Sequence, residues 1–121
     1  MMISSMLKTK EMIPANDSVN IKDLDPKMKD FVVKLEGTLG KELTITSGYR
    51  GPDHPIEAAK KTPGEHATGL AVDIAAIGGT PVFELVEAAI DLGCKRIGIS
   101  RKSNFVHLGL DKDRVTSIWT Y

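Results

Sequence analysis

Residues 70–75 alternate Leu70, Val72 and Ile74 against Ala71, Asp73 and Ala75. A β-strand with this pattern has one apolar face and one face of small residues that carries a carboxylate. An unpaired charge in such surroundings is costly to bury, so any fold the chain adopts must bring a compensating partner to Asp73. Residues 105–110 repeat the pattern, with Val106, Leu108 and Leu110 on one face and Phe105, His107 and Gly109 on the other. Each strand turns its apolar side toward a core and sets one metal-competent residue on the opposite side. If the two strands are neighbours, Asp73 and His107 converge.

The rest of the chain supplies a scaffold for such a sheet. Residues 1–24 read as an irregular lead-in with Pro14, Asn16 and Asp17 as turn formers, and residues 25–121 as one domain. Asp25-Pro26 offers an N-cap followed by proline at the first helical position. Met28, Phe31, Val32, Leu35 and Leu39 then recur at helical spacing up to Gly40. Residues 42–46 alternate Leu43 and Ile45 with polar neighbours, a strand pattern ended by Ser47-Gly48, with Arg50 just beyond. Residues 51–64, bounded by prolines and glycines, read as a connection. Thr80-Pro81 opens a second helix whose stripe is Val82, Leu85, Val86, Ala89 and Ile90, stopped by Gly93. Strands at 96–100, 105–110 and 115–121 complete the order, the last carrying Trp119. This succession predicts an α+β fold, a mainly antiparallel sheet with helices packed on one face.

Charge and hydropathy narrow the function. Sixteen basic residues balance sixteen acidic ones, and no Lys/Arg cluster forms the footprint that phosphate neutralisation needs, which argues against a nucleic-acid partner. No apolar run approaches the roughly 20 residues of a membrane helix. The opening residues MMISSMLKTKEM lack the apolar centre of a secretory signal, so synthesis in the cytoplasm is expected. Cys94 follows Gly93 at a helix end and reads as a small buried apolar residue. No heptads or sticky strand mark an interface, so a monomer is expected.

His66 lies in the turn before the Asp73 strand, seven residues back, where its ring can fold over the same face. Two imidazoles and a carboxylate form a three-ligand set for catalytic zinc, with the fourth tetrahedral position left for water. A divalent cation would also compensate Asp73. Spacing alone leaves blander roles open: His66 as a turn or capping residue, Asp73 as a solvated carboxylate, His107 as a satisfied polar side chain.

Four segments carry a likeness. SGYR at 47–50, HATGLAVD at 66–73, FVHLGLD at 105–111 and the closing R-x4-W-x-Y at 114–121 resemble the zinc D-Ala-D-Ala carboxypeptidases of peptidase family M15, most closely a short branch of that family. The resemblance implies the α+β fold shared with hedgehog-type and lysostaphin-type zinc proteins. It implies that His66, Asp73 and His107 bind zinc, and that Arg50 contacts substrate or stabilises charge on the scissile carbonyl. The substrate it implies is the peptidoglycan stem peptide, cut at bonds that contain D-amino acids. Release in the manner of a phage lysin and a cytoplasmic recycling role both accord with it.

The chain departs from the family pattern at three positions. Asn104 stands where many members have an acidic base three residues before the last His. Gly109 replaces an acid two residues after that His, and Gly64 replaces a serine two residues before the first ligand. A carboxamide is no general base, and losing such a base typically costs about 10²–10⁴-fold in rate. Asp111 or Glu65 is then the candidate base, or zinc hydroxide acts unaided, and His54 is the candidate to line a substrate cleft from the loop. The alternative is a catalytically weak or inactive zinc module that binds cell-wall peptide or a protein partner.

Overall fold

Asp25 starts the first regular element of the computed structural model, which describes residues 21–49 and 65–121. Its carboxylate accepts the Lys27 N–H at 2.8 Å and Pro26 occupies the first turn of helix α1, Pro26–Leu39. Gly40 closes the helix in the left-handed region (φ 69°), returning its N–H to the Glu36 carbonyl. Removing the cap in Asp25→Ala is expected to cost about 1 kcal/mol, read as a lower thermal midpoint with unchanged metal binding.

Strand β1, Ile45–Ser47, is followed by a short 3-10 turn, Glu65–Thr68, and by β2, Ala71–Ala75. Helix α2 spans Gly79–Asp91, and β3, Arg96–Ser100, β4, Phe105–Gly109, and β5, Ser117–Thr120, complete the order. The sheet runs β1-β2-β4-β3-β5. Its first three pairings are antiparallel and β3–β5 is parallel. The α+β, mainly antiparallel expectation therefore holds, with one strand of opposite sense. The reason is where β4 ends: Gly109 lies beside Arg96, the first residue of β3, and Ser117 pairs with that same Arg96. A connection of a few residues passing the end of β3 thus starts β5 in the direction of β3.

Val72 and Ile74 of β2, Ile97 of β3, and Val106 and Leu108 of β4 form one buried face of the sheet. They join Met28, Phe31, Val32 and Leu35 of α1 and Val82, Leu85, Ala88 and Ala89 of α2 in a single core. The core also takes in Ile21 and Leu24, which precede the first helix. Burial of this many aliphatic side chains, each contributing about 1.5–3 kcal/mol, fixes the sheet's sidedness and so fixes which residues face the other way.

Local departures from the sequence pattern have physical causes. β1 is shorter than 42–46 because the Leu43 N–H is taken by the buried Glu36 carboxylate at 2.7 Å, which ties α1 to the strand's approach instead of to the sheet. The pairing of β1 with β2 has a register shift between Ile45 and Ser47. Ile90, expected on the apolar stripe of α2, is 50% exposed. Cys94 is buried, with its Sγ near the carbonyls of Arg96 and Gly109. Among the described residues no helix is long and apolar enough to cross a membrane.

Candidate metal centre

A single row crosses the sheet on the face away from the helices. Ser47 pairs with Asp73, Asp73 with His107, His107 with Gly98, and Gly98 with Trp119. Because side chains alternate with period two, the core-facing choice of Val72, Ile74, Val106 and Leu108 forces Asp73 and His107 together on the opposite side. Their contact is direct, with His107 Nδ1 2.9 Å from Asp73 Oδ1.

His66 arrives from the 3-10 turn. Its Nδ1 lies 2.7 Å from the Gly48 carbonyl and its Nε2 3.2 Å from the same Asp73 Oδ1. The two imidazoles meet edge to face, centroids 5.0 Å apart at 73°, and all three side chains are buried. His66, Asp73 and His107 each offer one ligand atom, all within 4.8 Å of one another, and the ring nitrogens that meet Asp73 Oδ1 are His66 Nε2 and His107 Nδ1.

The hydrogen-bond chemistry of this cluster calls for a cation. A carbonyl only accepts, so Nδ1 of His66 is the donor to Gly48, and a neutral ring then carries a lone pair at Nε2. That lone pair faces a carboxylate oxygen. Two acceptors at this separation are reconciled by a proton or by a metal ion between them. The Gly48 carbonyl is the outer partner typical of metal-bound histidine, fixing tautomer and ring orientation. A His₂Asp donor set is one that zinc accepts readily.

Asp73 is ionised throughout the physiological range. Burial by itself pushes its carboxyl up, but where a proton rather than a metal sits between the groups, the hydrogen bonds from the protonated His107 and His66 rings and their positive field outweigh that, lowering it from 3.8 to about 2. The carboxylate that looked costly in the sequence is thus charged and compensated.

The remaining candidates are placed as follows. Arg50 and His54 lie outside the described residues. Glu65 begins the 3-10 turn next to His66. Asp111 follows the end of β4, where its Oδ2 accepts from Arg114 Nε at 3.0 Å and its Oδ1 from the Asp113 N–H at 3.0 Å, closing the 111–114 turn. Asn104 sits just before β4 in the left-handed region (φ 56°), and its carbonyl accepts the Ala76 N–H at 2.8 Å. Asparagine is among the few side-chain-bearing residues that tolerate this conformation, so the turn itself gives a reason for Asn104. Gly109 faces Ala71 on one side and Arg96 on the other.

Two residues of the row went unnoticed as site residues in the sequence. Gly98 leaves a slot that the Trp119 indole fills: a Cβ there would lie 2.6 Å from Trp119 Cε2 and Nε1. The available signal was a glycine inside a strand, which marks close approach of another group.

A sequence model of the family described as Peptidase M15 matches residues 2–109, a span containing His66, Asp73 and His107. No curated protein matches the chain.

Proposed function

The chain belongs to the M15 peptidase family, and from that premise we propose that it is a zinc-dependent peptidase acting on D-amino-acid-containing bonds of peptidoglycan stem peptides. The observation that carries the proposal is the convergence of His66 Nε2, Asp73 Oδ1 and His107 Nδ1, three donors of two chemical kinds with room in a tetrahedral set for one more. Zinc in such a set supplies Lewis acidity, polarising a carbonyl and bringing the pKa of bound water toward about 7.

The protein's own residues do the rest. Gly48 holds the His66 ring so that Nε2 points inward, and the Asp73 carboxylate supplies the negative charge that makes the centre selective for a cation. Arg50, permanently charged with donors in a fixed fork, is assigned to the developing oxyanion, and His54 to the cleft wall. Glu65 and Asp111 are the candidate bases. Asp111 can take that role only by leaving Arg114 and its own turn, which favours Glu65.

A second reading draws on Asn104, whose left-handed turn accounts for its presence without catalysis. On that reading the metal centre belongs to a weak or inactive module that binds cell-wall peptide or a protein partner. Mass spectrometry of defined muropeptides, incubated with zinc-loaded protein and with an EDTA-treated sample, separates the two. The expected result is a chelator-sensitive mass loss whose size names the bond: one D-Ala for a carboxypeptidase, a larger fragment for a cut within the stem or cross-link. Intact muropeptides at high protein concentration, with zinc confirmed bound, overturn the peptidase reading in favour of the module.

A further inference from the structure

We infer that Trp119 is a positioning residue for the metal centre, its indole occupying the slot over Gly98 and bracing the His107 ring from the side opposite His66. The inference rests on the reading of His66, Asp73 and His107 as metal ligands. It concerns a residue beyond the span that the family model matches.

The geometry is explicit. His107 has Asp73 as its cross-strand neighbour on β2 and Gly98 on β3. Asp73 meets the imidazole through Nδ1, whereas Gly98 offers no side chain to hold the ring. Trp119, one strand further along in the same row, covers that position, its ring centroid 5.3 Å from that of His107. The His107 ring is thus flanked by His66 at 5.0 Å and by Trp119 at 5.3 Å.

Trp119 is itself held in place. The Arg96 guanidinium lies over the indole, 5.1 Å from its centroid, and Arg96 Nη1 donates to the Val115 carbonyl on the approach to β5. Tyr121 meets the indole edge-on at 6.5 Å and packs on Phe105 at 5.2 Å. The parallel β3–β5 register aligns Trp119 with Gly98. Gly98, Trp119 and Arg96 form a brace that limits the rotamers of His107 and keeps Nδ1 aimed at the centre, as outer partners of metal-bound histidines do.

The test uses the full chain and Co²⁺ or Zn²⁺ alone, without substrate. Trp119 is the chain's single tryptophan, so quenching of indole fluorescence by Co²⁺ reports on this spot directly. The expected results are quenching of the wild type that saturates at about one equivalent and, read from Co²⁺ visible absorption because the variant has no indole, a fall in affinity of about 10–100-fold in Trp119→Ala. Trp119→Phe should recover most of the loss. Gly98→Ala, which keeps the indole but displaces it, should lower affinity in the same direction and alter the Co²⁺ visible spectrum.

Lower thermal stability in these variants with wild-type metal affinity and an unaltered Co²⁺ spectrum overturns the inference, since a merely structural tryptophan gives that pattern. A wild type that takes up neither ion overturns this inference together with the metal-centre reading. A wild type that binds tightly, with Trp119→Ala and Gly98→Ala indistinguishable from it in affinity, overturns this inference alone.

Discussion

Asp73→Asn is expected to take bound metal from about one ion per chain to none while leaving the fold in place. The substitution is nearly isosteric, and the backbone of residue 73 stays paired with Ser47 on one side and His107 on the other, so the strand survives. What disappears is the formal charge on which both imidazoles converge. A carboxamide is a far weaker ligand for a hard-to-borderline cation, and its NH₂ group competes for the space. Hydrolysis that depends on lowering a water pKa by many units should then fall by several orders of magnitude. Metal analysis after equilibrium dialysis reads the first effect, and stoichiometric zinc in the variant would refute the ligand assignment.

The metal-free protein carries a second signature of the same residue. Because the folded-state pKa of Asp73 is lowered to about 2 from 3.8, its ionised form stabilises the fold above about pH 4. That contribution, about 2 kcal/mol in size, is lost as pH falls through about 2. The stability difference between metal-free wild type and Asp73→Asn should therefore shrink as pH falls from about 4 through about 2. A difference that holds or grows between about pH 4 and pH 2 contradicts the hydrogen-bonded carboxylate.

Much of this centre was legible because period-two alternation is the least ambiguous pattern a sequence offers. Val72, Ile74, Val106 and Leu108 could face one core only if Asp73 and His107 faced away together, and the antiparallel register then set the pair directly opposite. His66 was legible through its position in the turn, not its partner: nothing in the sequence marks the Gly48 carbonyl as the acceptor that fixes its tautomer.

Features that depend on which strands become neighbours stayed hidden. The Gly98–Trp119 contact needs β5 to lie parallel to β3, and strand sense follows from the path of a connection, for which residues 110–116 carry no distinctive pattern. The Glu36 carboxylate, taken up by the Leu43 N–H, looks from sequence like an ordinary charge on a helix. The tie between Asp111 and Arg114 is equally silent, because sequence proximity to His107 says nothing of which way a carboxylate turns once its strand has ended.

Gly69→Ala is expected to cost far more stability than Gly40→Ala, a glycine of similar backbone conformation, and to carry the metal centre with it. Gly69 has φ +76°, and a Cβ there would stand 2.9 Å from the Asp25 nitrogen, 3.4 Å from the Asp23 carbonyl oxygen and 3.5 Å from the Leu24 carbonyl carbon. All three are backbone atoms, so no rotamer change relieves the contact. The left-handed conformation contributes about 1–2 kcal/mol of strain and the overpacking about 1–3, together roughly 2–5 kcal/mol against a total stability of about 5–15. The contact is also a joint. The Gly69 carbonyl accepts the Asp25 N–H at 2.9 Å and the Gly69 N–H reaches back to the His66 carbonyl at 3.3 Å, so the start of α1 and the turn bearing His66 are locked through this residue. Relief by separating them moves His66 away from Asp73, and metal affinity should fall along with stability. Gly40→Ala is the matched control: its φ is +69° but nothing lies within 4 Å of the added carbon, so it bears the conformational strain without the collision. Urea midpoints and Co²⁺ affinity measured on both variants separate the two contributions. A stability loss at Gly69 no larger than that at Gly40, with metal affinity kept, would mean that the chain accommodates the methyl and that the turn does not depend on this joint to place His66.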